Sequence, residues 1–228
     1  MLATIRASQS TTWLLQKFVA SPLLFRQRKF HLRVIALACG DLRVHVHRHI
    51  VVIPAFSSYE DIVKDIVKGD GDAVKVDKFA FLTNHCVQSS HADYQAGRFA
   101  MLIDLCRDVF ASGHAPPSCS GPEALCELLF ERISHVIGEV FAASKLSPTS
   151  FFPLPHCFEL FGCDMMIDQS LNVWILEINS DPSMTLYEGP NIEDKVVDIL
   201  SDTLDAFLGP SASNVSGGEE GGGGGGGH

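Results

Sequence analysis

The sequence has no uninterrupted apolar run of the roughly 18 residues that a membrane-crossing helix requires. Its longest apolar stretches, such as Val34–Cys39, are strand-length. Positive charge is also short: 17 Lys and Arg stand against 27 Asp and Glu, a formal net charge of −10. That balance argues against a nucleic-acid or anionic-membrane partner, either of which would need a basic footprint. The seven cysteines are odd in number and none has CxxC spacing. They read as buried thiols of a reducing compartment rather than a disulfide framework or zinc site. Acidic residues are missing altogether from Met1 to Gly40, where Arg6, Lys17, Arg26, Arg28, Lys29 and Arg33 are basic. With Ser8, Ser10, Thr11 and Thr12 this segment imitates a mitochondrial transit peptide.

What is present suits one globular domain: 228 residues, 46% of them hydrophobic, enough to bury a core. Trp13–Val19 reads as a strand leading to a Ser21-Pro22 turn. Phe30–Cys39, Leu42–Arg48 and Ile50–Phe56 read as a three-stranded meander, with Gly40-Asp41 supplying a turn. In Leu42–Arg48 the apolar Leu42, Val44 and Val46 alternate with Arg43, His45 and His47, the pattern of a half-exposed strand. The three histidines His45, His47 and His49 share a face, read as solvent-facing rather than metal-binding. Ser57–Asp77 is polar with a helical patch at Tyr59–Val67, Ala80–Asn84 reads as extended, and Arg98–Val109 as a helix. In Pro122–Lys145 apolar residues recur at steps of three and four from Leu125 to Phe141, one face of a long helix. His156–Ile167 and Val173–Ile178 form a hairpin about the turn Asp168–Asn172. Asn191–Leu208 is an amphipathic helix, and 209–228, with seven consecutive glycines, reads as a disordered tail.

The residues that point to chemistry lie on that hairpin. Glu177 and Asn179 are two apart, so on a strand they face the same side, while Leu176 and Ile178 face the core. Asp164, on the partner strand, can face that side too. Two carboxylates and an amide oxygen make a hard, all-oxygen donor set, the kind Mg²⁺ accepts when nucleotide phosphates complete its octahedron.

The run Leu160-Phe161-Gly162-Cys163-Asp164, followed by Trp174-Ile175-Leu176-Glu177-Ile178-Asn179-Ser180-Asp181-Pro182-Ser183, resembles the tubulin–tyrosine ligase family pattern LFGxDxxxD…WxLExNxxPS. Further blocks follow the family's order. Leu15–Val19 resembles its QKY strand, Lys29–Arg33 its KFDxR and Phe81–Asn84 its HLTN. The resemblance spans Trp13 to Leu208. It implies an α+β fold, the C-terminal lobe of an ATP-grasp domain, with an antiparallel sheet flanked by helices. It also implies ATP and Mg²⁺ as cofactors, with Asp164, Glu177 and Asn179 as metal ligands. Gln16, Lys17, Phe18, Lys29, Arg33, Thr83 and Asn84 would contact the nucleotide, and Arg33 and Glu177 would act in catalysis. The activity implied is ligation of an amino acid to a protein carboxylate through an acyl phosphate, with tubulin as partner, in the cytoplasm or on the cytoskeleton.

Three positions depart from the family pattern: His31 stands for the acid of KFDxR, Phe81 for the histidine of HLTN, and Ile53 where an arginine is typical. These changes bear on amino-acid transfer more than on ATP binding, and leave a non-catalytic family member that binds ATP or a protein as the alternative. Because ligand-site residues begin soon after Trp13, a start inside a domain accounts for the basic N-terminus better than a removable peptide. The expected organisation is a remnant of an upstream domain at 1–12, a ligase domain incomplete at its N-terminus at 13–208, and the tail.

Overall fold

The computed structural model describes residues 16–19, 21–59, 77–92, 99–147, 154–184 and 193–208. The expectations for Trp13–Leu15, for Glu60–Val67, for the 1–12 remnant and for the 209–228 tail fall outside these residues. Strands are β1 (Phe30–Cys39), β2 (Arg43–Val46), β3 (Val51–Pro54), β4 (Ala100–Met101), β5 (Phe158–Ile167) and β6 (Val173–Ser180). Helices are α1 (Lys78–Phe81), α2 (His85–Gln88), α3 (Leu102–Ala111), α4 (Pro122–Lys145) and α5 (Glu193–Leu208).

All the strands join one antiparallel sheet of order β4-β3-β1-β5-β6, with β2 also on β1. The expected meander does not form. Both β2 and β3 pair with the same edge of β1, β2 along Ala36–Cys39 and β3 along Phe30–Arg33. After Val46 the chain leaves the ladder at His47, whose N–H donates to the Ile35 carbonyl (2.9 Å), and re-enters one strand-half lower. A ten-residue strand can serve two short partners in this way because its hydrogen bonds are laid down rung by rung.

Alternation along β1 divides the molecule into layers. Phe30, Leu32, Val34 and Ala36 face a core closed by α3 (Leu102, Leu105, Cys106, Val109) and α4 (Leu125, Leu129, Ile133, Ile137, Phe141). The α4 side chains are the ones its three-and-four spacing selects, and each fully buried leucine or isoleucine contributes about 1.5–3 kcal/mol. On the opposite face, Ile35, Val51, Ile53 and Ile199 form a second apolar cluster under α5. α5 therefore seals one end of that face. The other end, at the N-terminal half of β1, carries His31 and Arg33.

Other expectations are corrected. Ala80–Asn84 is not extended throughout: Asp77 caps α1 by accepting the Phe79 N–H (2.9 Å), so Ala80 and Phe81 are helical and the chain extends only from Leu82. Gln16–Val19 joins no strand. The histidines do not share a solvent-facing strand. His47 is buried, 3.3 Å from Thr203 Oγ1 and 3.7 Å from Asp202, and His49 Nε2 lies 3.2 Å from Asp198. They fasten α5 to the sheet. Of the cysteines, Cys39, Cys106 and Cys163 are buried free thiols, whereas Cys157 is an exposed one. No helix among the described residues is long and apolar enough to cross a membrane.

Candidate functional site

The polar end of the second sheet face is built on one row of the ladder. Arg33 on β1 pairs with Asp164 on β5, and Asp164 pairs with Glu177 on β6, so the three Cα positions run side by side across adjacent strands. Two rungs on, and so on the same face, Gly162 pairs with Asn179. The structure thus brings Arg33, Asp164, Glu177 and Asn179 together, as expected from the sequence.

A register shift makes this possible. Asp164 opposes Glu177 but Met165 opposes Ile175, leaving Leu176 as an extra residue. A bulge of this kind rotates the strand locally and re-aims side chains. Here it points Glu177 and Asn179 to the polar face while both Ile175 and Ile178 still pack on the main core. The expectation that Leu176 faces the core is corrected on this ground: Ile175 takes that place.

Arg33 does not wait for a ligand. Its Nε donates to Asp164 Oδ1 (2.6 Å) and its Nη2 to Oδ2 (3.2 Å), a forked pair in which both side chains are largely buried. Asp164 is therefore an interior carboxylate, 6% exposed, and not part of a solvated outer strand face. Gly162 makes room for the fork: a Cβ there would lie 3.4 Å from Arg33 Nη1 and 2.9 Å from the Pro182 Cβ. Glu177 and Asn179 are exposed, and Asn179 Nδ2 donates to Glu177 Oε1 (3.2 Å).

This donor set fits a magnesium ion carried by a nucleotide. Among the described residues no group of three or more His, Cys, Asp and Glu gathers into a cage. Mg²⁺ needs no such cage, being held by one or two carboxylates plus phosphate oxygens and water. Each Asp164 oxygen accepts once from Arg33 and keeps a second lone pair.

Beside this row lies a second group. Lys29 Nζ donates to the Phe81 carbonyl (3.0 Å) and sits 5.4 Å from the Phe18 ring centroid. Burial lowers the Lys29 pKa. Phe81 is the hub, its ring 6.2 Å from Phe18 and 5.6 Å from Tyr59. His31 Nδ1 meets Thr83 Oγ1 at 2.7 Å in a buried contact. Its pKa falls to about 4, through burial first and then the Arg33 and Lys29 cations, with Glu177 opposing, so the imidazole is neutral near pH 7. Ile53 sits directly opposite His31 and is buried.

The other expected site residues are less tightly placed. Gln16 and Lys17 are exposed, and Lys17 lines a cavity of about 390 Å³ with Phe18, Asp168 and Trp174. Asn84 is exposed, and its carbonyl accepts from the Val87 and Gln88 N–H groups at the start of α2 (both 3.0 Å).

Sequence reasoning treated Asp168 as a turn residue only. It accepts hydrogen bonds from the Ser170 and Asn172 backbone (both 2.9 Å), from Asn172 Nδ2 (3.0 Å) and from Trp174 Nε1 (3.0 Å). Burial alone would raise its pKa, but these bonds outweigh that and lower it. The signal was the second aspartate of the DxxxD spacing, Asp164 and Asp168. Tyr59 had no comparable signal, since it acts through close approach of distant segments.

Residues 1–215 match the sequence model of the tubulin-tyrosine ligase family. A protein of Schizosaccharomyces pombe described as a probable tubulin–tyrosine ligase is 29% identical over 206 residues, 89% of this chain and 44% of its own length. A probable tubulin polyglutamylase of Bos taurus is 28% identical over 190 residues, 83% of this chain and 37% of its own. The tubulin monoglutamylase of Homo sapiens is 27% identical over 212 residues, 89% of this chain and 17% of its own. The chain therefore spans less than half the length of these relatives.

Proposed function

The chain belongs to the tubulin-tyrosine ligase family, and from that premise we propose that it carries the catalytic lobe of an ATP- and Mg²⁺-dependent ligase that joins an amino acid to a protein carboxylate, with tubulin as the acceptor. The observation that carries this reading is the row Arg33–Asp164–Glu177, three charged residues in register on three neighbouring strands.

The chemistry supplied by bound Mg·ATP is transfer of the γ-phosphoryl group to a carboxylate, giving an acyl phosphate that an amine then attacks with loss of phosphate. The protein's part is positioning and charge stabilisation. Asp164, Glu177 and Asn179 would hold the metal, and Arg33 orients Asp164 while adding positive charge at its edge. Lys29 and Thr83 border the nucleotide pocket, and Phe18 and Phe81 give it an aromatic wall. Gln16, Lys17 and Asn84 flank this pocket from exposed positions. In this reading the domain occupies 13–208, is an ATP-grasp lobe, and works in the cytoplasm on the cytoskeleton.

A second reading has a specific observation in its favour. Ile53 is sealed in the apolar cluster beneath α5 and faces a neutral His31, so this rung presents no charge to a reacting carboxylate. A family member that binds ATP without transferring an amino acid would have this character.

Titration calorimetry with Mg·ATP tests the site, using the chain and its Glu177→Gln variant. Glu177 is exposed, so the variant keeps its fold, and loss of its binding heat is the expected result. Equal heats in both proteins, or none in either, would sink the metal assignment. Where binding holds, transfer of radiolabelled glutamate or tyrosine to tubulin separates the ligase from the binding-only reading.

A further inference from the structure

Helix α3 turns Leu102, Leu105, Cys106 and Val109 inward, the steps of three and four that one helical face allows. Helix α4 answers with Leu125, Leu129 and Ile133. Cys106 is thus fully buried where the two helices meet, and Cys126, next to Leu125, stands half-buried at the edge of the same core. The two thiols touch: the Cys106 S–H donates a hydrogen bond to the Cys126 sulfur across the helix pair. Neither is in a disulfide, and Cys119, in the segment between the helices, packs on the same core.

The surroundings of the pair are unequal. Arg48 reaches α4 beside Cys126, with Nη1 2.7 Å from Glu127 Oε1 and its guanidinium carbon 4.3 Å from the Phe130 ring centroid. The hydrogen bond from Cys106 lowers the Cys126 pKa, and Arg48 acts in the same direction against burial, Glu127 and Glu123. The same bond, followed by burial, raises that of Cys106. One thiol is therefore poised to ionise at the helix edge while its neighbour keeps its proton in the core. An inert core filler needs neither a cation nor a second thiol beside it. A thiolate that reacts and a thiol that resolves its product need both. A soft metal ion is a poorer occupant, since among the described residues no three His, Cys, Asp or Glu gather to hold one.

We propose that Cys106 and Cys126 form a peroxide-reactive thiol pair, in which Cys126 is oxidised and Cys106 closes a reversible disulfide between α3 and α4. The Cys126 thiolate attacks one peroxide oxygen and the O–O bond breaks. Cys126 becomes a sulfenic acid, and the released hydroxide takes up a proton to give water. The Cys106 sulfur then attacks the sulfenic sulfur. An S–S bond forms, the S–O bond breaks, and the Cys106 proton departs with the hydroxyl as a second water. The thiol pair gives up two electrons and the peroxide takes both. Where thiols are otherwise kept reduced, a disulfide of this kind is transient and serves as a redox sensor. Here it would fasten together the two helices that close the main core. The proposal does not depend on the ligase reading, because neither thiol belongs to the Arg33–Asp164–Glu177 row.

The test exposes the reduced chain to hydrogen peroxide, blocks the remaining thiols by alkylation and maps the products by peptide mass spectrometry. A linked Cys106–Cys126 peptide is expected, and dithiothreitol should abolish it. Cys126 should be consumed about tenfold faster than the exposed Cys157, which serves as the internal reference. In Cys106→Ala the sulfenic acid has no resolving thiol, so dimedone should label Cys126. Cys126→Ser should give neither the linked peptide nor the label, whereas Cys119→Ser should still give the linked peptide. Cys126 lies at the edge of the core, so Cys126→Ser keeps the fold, which a thermal melt verifies. Mapping of the unsubstituted chain and of Cys126→Ser decides the matter even where the buried Cys106→Ala does not fold. A disulfide through Cys119 in place of either partner overturns the proposal, as does consumption of Cys157 at the rate of Cys126.

Discussion

Arg33 and Asp164 stand opposite each other on neighbouring strands and are joined by two hydrogen bonds, Nε to Oδ1 at 2.6 Å and Nη2 to Oδ2 at 3.2 Å. The pair is both the floor of the candidate site and a structural element of the sheet. With side-chain exposures of 14% and 8%, neither charge can turn to bulk water if its partner is lost.

Asp164→Leu should therefore cost about 3 kcal/mol of stability, because it leaves the guanidinium buried without its counter-charge. Arg33→Met should cost a similar amount. The double variant Arg33→Met, Asp164→Leu should restore much of the loss while abolishing Mg·ATP binding. Urea denaturation of the four proteins measures this. Additive losses in the double variant would show that the two residues do not act as a pair.

His31 should make the fold sensitive to acid. Its pKa in the folded protein is about 4, below the ordinary 6.5, because burial and the Arg33 and Lys29 cations disfavour the imidazolium. Between those values the unfolded chain binds a proton that the folded chain does not, so stability rises with pH across the window. It is fully present above about pH 6.5 and lost as pH falls toward 4. Between pH 7.5 and pH 5 the expected loss is about 2 kcal/mol. His47, also lowered mainly by burial, adds a loss of the same sign. The diagnostic quantity is the difference between the chain and His31→Asn, followed by denaturant midpoint. Identical pH profiles would show that folding leaves the His31 pKa unchanged.

Gly162→Ala should disturb the site through sterics. Its Cβ would meet the Pro182 Cβ at 2.9 Å and Arg33 Nη1 at 3.4 Å, so either the segment after β6 or the Arg33 fork must shift. Overpacking of this kind costs about 1–3 kcal/mol. Mg·ATP affinity should fall further than global stability explains, since Pro182 follows the strand that carries Glu177 and Asn179. A thermal melt beside a calorimetric titration gives both numbers, and an unchanged titration would detach Gly162 from the site.

Much of this molecule was legible along the chain. Helix α4 occupies Pro122–Lys145, the range its apolar spacing gives, and β1 occupies Phe30–Cys39, the range of its apolar run. The two-residue step from Glu177 to Asn179 put both on the face where they are found, and the hairpin brought Asp164 to them. These are local facts: a helix repeats every 3.6 residues and a strand every two, so the order of side chains fixes which face each one takes.

What the order of side chains could not give was partnership at long range. That β2 and β3 share one edge of β1 depended on where the chain broke at His47. That Arg33 is committed to Asp164, 131 residues away, depended on β1 pairing with β5. The extra residue Leu176, the passage of Pro182 over Gly162 and the burial of His47 under α5 likewise arise only when separate segments are packed together. Register across a sheet is chosen by the whole set of facing side chains and by the space that helices leave between them. The sequence by itself determined which polar residues share a strand face, and the tertiary structure decided which of them touch.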